Sequence, residues 1–357
     1  MQSFLQLVAH DLYAKIGNDL SRTALIFPNK RANLFFNEYL AGESDQPIWS
    51  PAAMSISDLF QKLSVQKSGD PIRLVCELYK VFKEETQSQE TLDDFYFWGE
   101  LLISDFDDVD KNMVDADKLF SNLQDLKNLM DDYEFLDKEQ EEAIQQFFQN
   151  FSIERRTELK EKFISLWDKL GTIYHHYREN LTELGIAYEG MLYRNVIEQL
   201  DTDQLKYDKY IFVGFNVLNK VENEFFRKLK DAGKALFYWD YDIFYTQQIR
   251  KHEAGEFLKR NLGEFPNELP ESFFDTFKEP KKIRYISAST ENAQARFLPE
   301  WIKMITDNHS QIAEEKEKEN AVVLCNEALL LPVLHSIPQE VKNVNITMGF
   351  PLAQTPV

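Results

Sequence analysis

Hydrophobic positions along this chain follow two rhythms, one that suits strands and one that suits helices. The run Thr23-Ala24-Leu25-Ile26-Phe27-Pro28 is short and apolar, as a buried strand is. The stretch 29–40 after it predicts a helix with Leu34, Phe35 and Tyr39 on its apolar side. Ser55-Ile56-Ser57-Asp58 opens another helix, and from there to about Leu205 the spacing is helical, with no strand expected. Asp70-Pro71 supplies an N-cap and a proline at the first helical position, ahead of Leu74, Leu78 and Val81. A second helix is predicted from Leu92 through Phe95, Trp98, Leu102 and Phe106. A third, over 155–184, places Leu159, Phe163, Leu166, Trp167, Leu170, Ile173, Tyr174, Tyr177 and Leu181 at steps of three and four. Long antiparallel helices joined by short polar turns fit this block.

After Leu205 the strand rhythm returns. Residues 210–214, 235–239, 283–287, 321–325 and 344–347 are β-rich, and each of the first four is followed by a helical pattern, the first by one over 220–231. Such alternation predicts parallel sheets with right-handed crossovers. The strand at Leu25 is expected to join those at Tyr210 and Ala235, with the helical block inserted between them. The stretch 262–280 contains proline, is weakly periodic, and is expected to be a domain boundary. The terminal Asn345-Ile346-Thr347-Met348-Gly349-Phe350-Pro351-Leu352 reads as a strand leading onward. The chain is therefore expected to be the first part of a longer protein.

Composition narrows the classes. At 357 residues, 43% of them hydrophobic and with 28 Phe, 15 Tyr and 5 Trp, the chain has material for two or three domains and is not disordered. No run approaches the roughly 18 uninterrupted apolar residues of a membrane span, and Met1-Gln2-Ser3-Phe4 does not open a secretory signal. The two cysteines, Cys76 and Cys325, read as buried free thiols of a helix and a strand in a reducing cytoplasm. A net charge of −20 argues against non-specific DNA binding over the whole surface and leaves room for a local basic groove. The acids concentrate over 84–161, which should face water or a basic partner.

The residues speak against ATP hydrolysis. In a nucleoside triphosphatase of this layout, the strand at 210–214 would end in acidic residues holding Mg²⁺; here it ends in Gly214-Phe215. The only Gly-Lys pair, Gly233-Lys234, sits in a helix-to-strand turn and lacks an upstream glycine at phosphate-loop spacing. The loop 17–22 fails as well. Nuclease chemistry fares no better, since Glu158-Leu159-Lys160 lies within a regular helix. Asp105, Asp107, Asp108 and Asp110 lack the glycine and glutamate of a calcium loop and read as a polar helix end. His175 and His176 point about 100° apart on one helix and cannot chelate one ion together. Phe95, Tyr96, Phe97 and Trp98 could stack bases, but their helical spacing predicts core packing. No catalytic residue and no cofactor is expected in this chain.

Two sheet-edge positions remain. Asp240 and Asp242 follow the strand at 235–239, where ligands of parallel sheets bind, so they are weak metal candidates; acids capping the next helix are the alternative. Asn29-Lys30-Arg31 follows the first strand, and two cations beside unpaired helix-start amides can hold a phosphate. Arg31 pairing with an acid such as Glu38 is the alternative there. Ser289 and Thr290 occupy an equivalent turn after 283–287, with a plain N-cap as the alternative reading.

Several strings carry a family likeness. They are Ala24-Leu25-Ile26-Phe27-Pro28-Asn29-Lys30-Arg31, Phe97-Trp98-Gly99-Glu100-Leu101-Leu102 with Asp105-Phe106-Asp107, Val213-Gly214-Phe215-Asn216, Tyr238-Trp239-Asp240, and Ile346-Thr347-Met348-Gly349-Phe350-Pro351-Leu352. Spread over nearly the whole chain, they resemble the AddB-like, PD-(D/E)XK nuclease family subunit of Bacteroides-type helicase–nuclease complexes. The resemblance implies an α/β fold of two parallel-sheet superfamily 1 helicase-like domains with a large all-α insertion in the first. Its parts would be 1–54 and 205–278 for the first helicase-like domain, 55–204 for the helical insertion and 279–357 for a truncated second domain. It implies a non-catalytic DNA-binding and assembly scaffold in double-strand break repair, partnered by DNA and an AddA-type motor subunit, with a nuclease domain further on. By the same resemblance Lys30 and Arg31 would contact DNA; Asn29 beside them, and Ser289 and Thr290 at the equivalent turn of the second domain, are further DNA-binding candidates. A scaffold that only grips a motor subunit, and a metal-dependent hydrolase using Asp240 and Asp242, are the alternatives.

Overall fold

The computed structural model describes residues 2–120, 158–247, 253–305, 320–347 and 349. The chain divides into two compact units, Met1–Lys278 and Glu279–Val357.

The first unit is built on a four-stranded parallel sheet. Its strands are β1 (Thr23–Phe27), β2 (Ala52–Ser55), β5 (Lys209–Val213) and β6 (Ala235–Tyr238), in spatial order β2-β1-β5-β6. Leu25 lies opposite Ile211, and Ile211 opposite Leu236. Their residues alternate between two cores, as the two-residue period of a strand requires. Ala24, Ile26, Tyr210, Phe212, Phe237 and Trp239 face one core; Leu25, Phe27, Ile211, Val213 and Tyr238 face the other.

Helices cover both faces. On the second face lie α1 (Phe4–Ile16), through Val8, Ala9 and Leu12, and α2 (Ala32–Ala41). On α2 the buried residues are Phe36 and Leu40, whereas Leu34 and Phe35 are exposed. The expected apolar side is thus rotated, because the helix begins at Ala32 and its i, i+4 pair Phe36–Leu40 is the one that meets the sheet. The first face is covered by α3 (Ile56–Leu63), α4 (Pro71–Thr86), α5 (Leu92–Lys111), α6 (Glu158–Glu183), α7 (Glu189–Gln199) and α8 (Lys220–Asp231). Asp70 caps α4, accepting from the Arg73 amide at 3.1 Å, with Pro71 at its first position. On α6, Leu170, Ile173, Tyr174, Tyr177 and Leu181 are buried as the spacing predicts. The expected start at Arg155 and the side chains of Leu159, Phe163, Leu166 and Trp167 lie outside the described residues. So do Met348, Phe350, Pro351 and Leu352.

One strand pair was not expected within the helical stretch. β3 (Lys67–Ser68) pairs with β4 (Ile186–Ala187), and it is too short for any two-residue rhythm to show. Beyond β6, the short helix α9 (Ile243–Thr246) and α10 (Glu253–Glu264) follow. Phe265, Leu269 and Phe274 then return to the cores.

The second unit has a small core of Ala295, Leu298 and Val333, supplied by α11 (Glu291–Arg296), α12 (Leu298–Ile305) and α13 (Leu330–Ser336). The strands expected at 283–287, 321–325 and 344–347 form no ladder among the described residues. Tyr285 is 92% exposed. An apolar run becomes a parallel strand only with neighbours on its edges and cover on its faces, and the core of this unit is helical. Cys325 is accordingly exposed and Cys76 only half-buried, against the expectation of two buried thiols. Among the described residues no helix is long and apolar enough to cross a membrane.

Candidate functional site

All four strands of the first unit run the same way, so their carboxyl ends share one edge. β2 lies to one side of β1, and β6 lies on the far side of β5. Right-handed crossovers therefore put α2 and α8 on opposite faces, and the crossover direction reverses between β1 and β5. A crevice outside this switch point is where open α/β sheets bind ligands. Here β1 delivers Asn29-Lys30-Arg31 and β5 delivers Gly214-Phe215-Asn216.

Lys30 and Arg31 are exposed, and the Lys30 ammonium lies 3.0 Å from the Asp58 carboxylate at the start of α3. Asp58 has a further task. It accepts from the Ser55 hydroxyl at 2.7 Å and the Ser55 amide at 3.2 Å, closing a capping box. The Ser55 hydroxyl bond, with Lys30 behind it, holds the Asp58 carboxyl below its ordinary range. An exposed pair such as Lys30–Asp58 is worth roughly 0–1 kcal/mol, so a phosphate could displace the acid at little cost. The helix-start amides are less available than the sequence suggests. Asn29 Oδ1 accepts from the amides of Arg31 at 3.1 Å and Ala32 at 3.3 Å.

At the neighbouring strand end, Gly214 has φ of +74° and donates its amide to the Tyr238 carbonyl. That left-handed turn suits glycine and sends Phe215 inward against Phe212 and Phe226. Asn261, itself buried, donates to the Asn216 carbonyl at 2.6 Å. The end of β5 thus buries Phe215 among aromatic rings.

The acids after β6 divide. Asp242 caps α9 through the Phe244 amide at 2.8 Å and accepts from the amides of Thr276 at 2.9 Å and Phe277 at 2.8 Å. It anchors the 270s to the sheet edge, the capping alternative in a stronger form. Asp240 keeps part of its surface in water, yet protein atoms crowd its carboxyl and push its pKa up. Among the described residues no group of three or more His, Cys, Asp or Glu is placed to hold a metal ion. In the second unit Thr290 caps α11, accepting from the Ala293 amide at 3.1 Å, while Ser289 is exposed beside it. His175 and His176 diverge as their spacing requires, to Asp117 at 2.7 Å and to Glu85 at 2.6 Å.

The aspartate run on α5 is not simply a solvated helix end. Asp110 is fully buried and accepts from the hydroxyls of Tyr174 at 2.6 Å and Tyr188 at 2.5 Å, and from Arg178 and Arg194. Burial first, and then the Asp110 charge, push both tyrosine hydroxyls up, so they remain donors. Asp107 accepts from the Gly190 amide and pairs with Lys111 at 2.7 Å. Lys111 also reaches Glu189 at 2.6 Å, and Glu189 accepts from Tyr193 at 2.8 Å and Ser57 at 3.2 Å. These networks join α5, α6 and α7. The one sequence signal for them was an aspartate at the inward phase of α5, in register with Phe106.

No family model matches this chain, and no curated protein does.

Proposed function

We propose that this chain is a non-catalytic, helicase-like DNA-binding and assembly scaffold of a recombination exonuclease in double-strand break repair. In this reading it works beside an AddA-type motor subunit, and the helicase-like layout serves contact and assembly rather than translocation. The observation that carries the proposal is the pairing across the switch point. Two exposed cations leave β1, while β5 ends in Gly214 and a buried Phe215 instead of metal-holding carboxylates. The test is binding of a single-stranded oligonucleotide over a range of salt by the parent and by Lys30→Ala with Arg31→Ala. The double variant should bind more weakly, with a salt slope shallower by about 0.7 for each phosphate no longer neutralised. Equal binding by parent and variant would remove the DNA role from these residues, and robust ATP turnover with or without the oligonucleotide would reject the non-catalytic part.

A second reading is favoured by charge. With a net charge of −20 and α5 rich in aspartate, the chain could serve only to grip a partner protein. That reading gains if neither parent nor variant binds the oligonucleotide.

A further inference from the structure

The outer face of α2 gathers positive charge and hydrocarbon in one place. Phe36 and Leu40 turn to the sheet, and Phe36 packs on Phe27 with 6.1 Å between ring centroids. Leu34 and Phe35 lie outside that core, 68% and 40% exposed. Among the described residues the Phe35 ring has no aromatic partner. Arg31, already helical at φ −72° and ψ −36°, lies one turn before Phe35. Residues four apart on a helix are neighbours, about 5–6 Å apart at Cβ. Arg31 forms no ion pair among the described residues, with Glu38 or with any other acid. Lys30 beside it keeps only its exposed pair with Asp58. Glu38, one turn beyond Leu34, bounds the patch with the opposite charge.

We propose that Phe35 is a stacking platform for a base of single-stranded nucleic acid whose backbone runs over Arg31 and Lys30. The proposal rests on the reading that these two cations meet phosphate, and it adds the strand form they take. A nucleotide joins a flat ring to an anion. A bare aromatic ring one helical turn from an unpaired guanidinium matches both of its parts. A duplex keeps its bases paired and stacked, so it offers phosphate to the cations and no base face to the ring. An acidic peptide would meet the cations and leave the ring uncovered. Leu34, on the other side of Arg31 around the helix, extends the apolar surface on which the sugar and base would lie.

The test uses the full chain and three fluorescent probes of equal length, titrated by anisotropy over a range of salt. They are an oligothymidylate, an abasic oligomer with the same sugar–phosphate backbone, and a duplex. Phe35→Ala should weaken the oligothymidylate at least about fivefold with its salt slope unchanged, and should leave the abasic oligomer and the duplex as they were. Phe35→Trp should hold or exceed the parent's affinity, and the oligothymidylate should quench the emission of the added indole. Lys30→Ala with Arg31→Ala should instead flatten the salt slope for the oligothymidylate and the abasic oligomer alike. All variants should keep the parent's circular dichroism. The stacking role falls, and the phosphate reading survives, if the double variant flattens the slope while Phe35→Ala binds the oligothymidylate as the parent does. It falls equally if Phe35→Ala weakens the abasic oligomer or the duplex as much as the oligothymidylate. If the parent binds none of the three probes, both fall together.

Discussion

Arg178 donates to the carboxylate of Asp110, a side chain with no exposed surface. Arg194 approaches the same carboxylate at 3.3 Å and gives a further hydrogen bond to the Val114 carbonyl at 2.9 Å. A buried acid held this way is worth little as a pair, yet removing one side strands the other. Asp110→Ala should therefore lose about 3–5 kcal/mol, because two half-buried guanidinium groups and two tyrosine hydroxyls lose the charged acceptor they share. Urea unfolding of parent and variant measures it; a loss below about 1 kcal/mol would show the network relaxes around the gap.

α5 and α7 approach closely at Gly190. A Cβ there would sit 2.4 Å from the Asp107 carbonyl oxygen, a backbone atom that cannot swing aside. Gly190→Ala should destabilise the first unit by about 1–3 kcal/mol through overpacking. Thermal melts should show it, while Gly263→Ala, which has open space at its Cβ, should not.

Glu222 sits in the first turn of α8, where its carboxylate accepts from the Asn219 amide at 3.1 Å. Burial pushes its pKa up despite that bond. The folded chain thus holds this proton more tightly than the unfolded chain does. Its contribution to stability is present below the ordinary glutamate range and is lost as pH rises through the raised folded value. Glu222→Gln keeps an acceptor for the Asn219 amide without the buried charge. The variant should be the more stable of the two at neutral pH, and the gap should close in acid. Denaturant midpoints across pH report it, and a gap that widens in acid would contradict the assignment.

Asp242→Ala removes the acceptor of three amides, those of Phe244, Thr276 and Phe277. Each stranded donor that stays buried costs about 1–3 kcal/mol. Hydrogen exchange at 276 and 277 should quicken even where the global melt moves little. Unchanged exchange would mean that ring contacts such as Phe274 with Tyr241 and Phe277 with Phe244 and Tyr245 hold the 270s without Asp242.

The sheet of the first unit was readable because its strands are dense apolar runs with helices behind them; β1, β5 and β6 pair as the periodicity predicts. The 220–231 helix matches its observed bounds, since Asn219 caps it and Gly233 follows its end. β2 escaped notice because Ala52 and Ala53 carry too little hydrocarbon to show a rhythm. Asp110 was hidden for a different reason. Its acidic neighbours signal solvent, and its partners Arg178 and Arg194 lie on other helices. In the candidate site, the sequence placed Lys30 beside the sheet edge but could not show that Asp58, from the next helix, already holds it.

The seating of Phe215 has a consequence for any attempt to build a metal grip at the end of β5. An aspartate placed there by one substitution would be drawn into contact with Phe212 and Phe226, where an ionised group sheds its hydration for nothing and takes up a proton instead. Installing a magnesium ligand would require first turning the backbone outward at Gly214 and refilling the space behind it. The packing at this strand end would thus keep a single introduced acid neutral, and one change of residue would not make a metal ligand there.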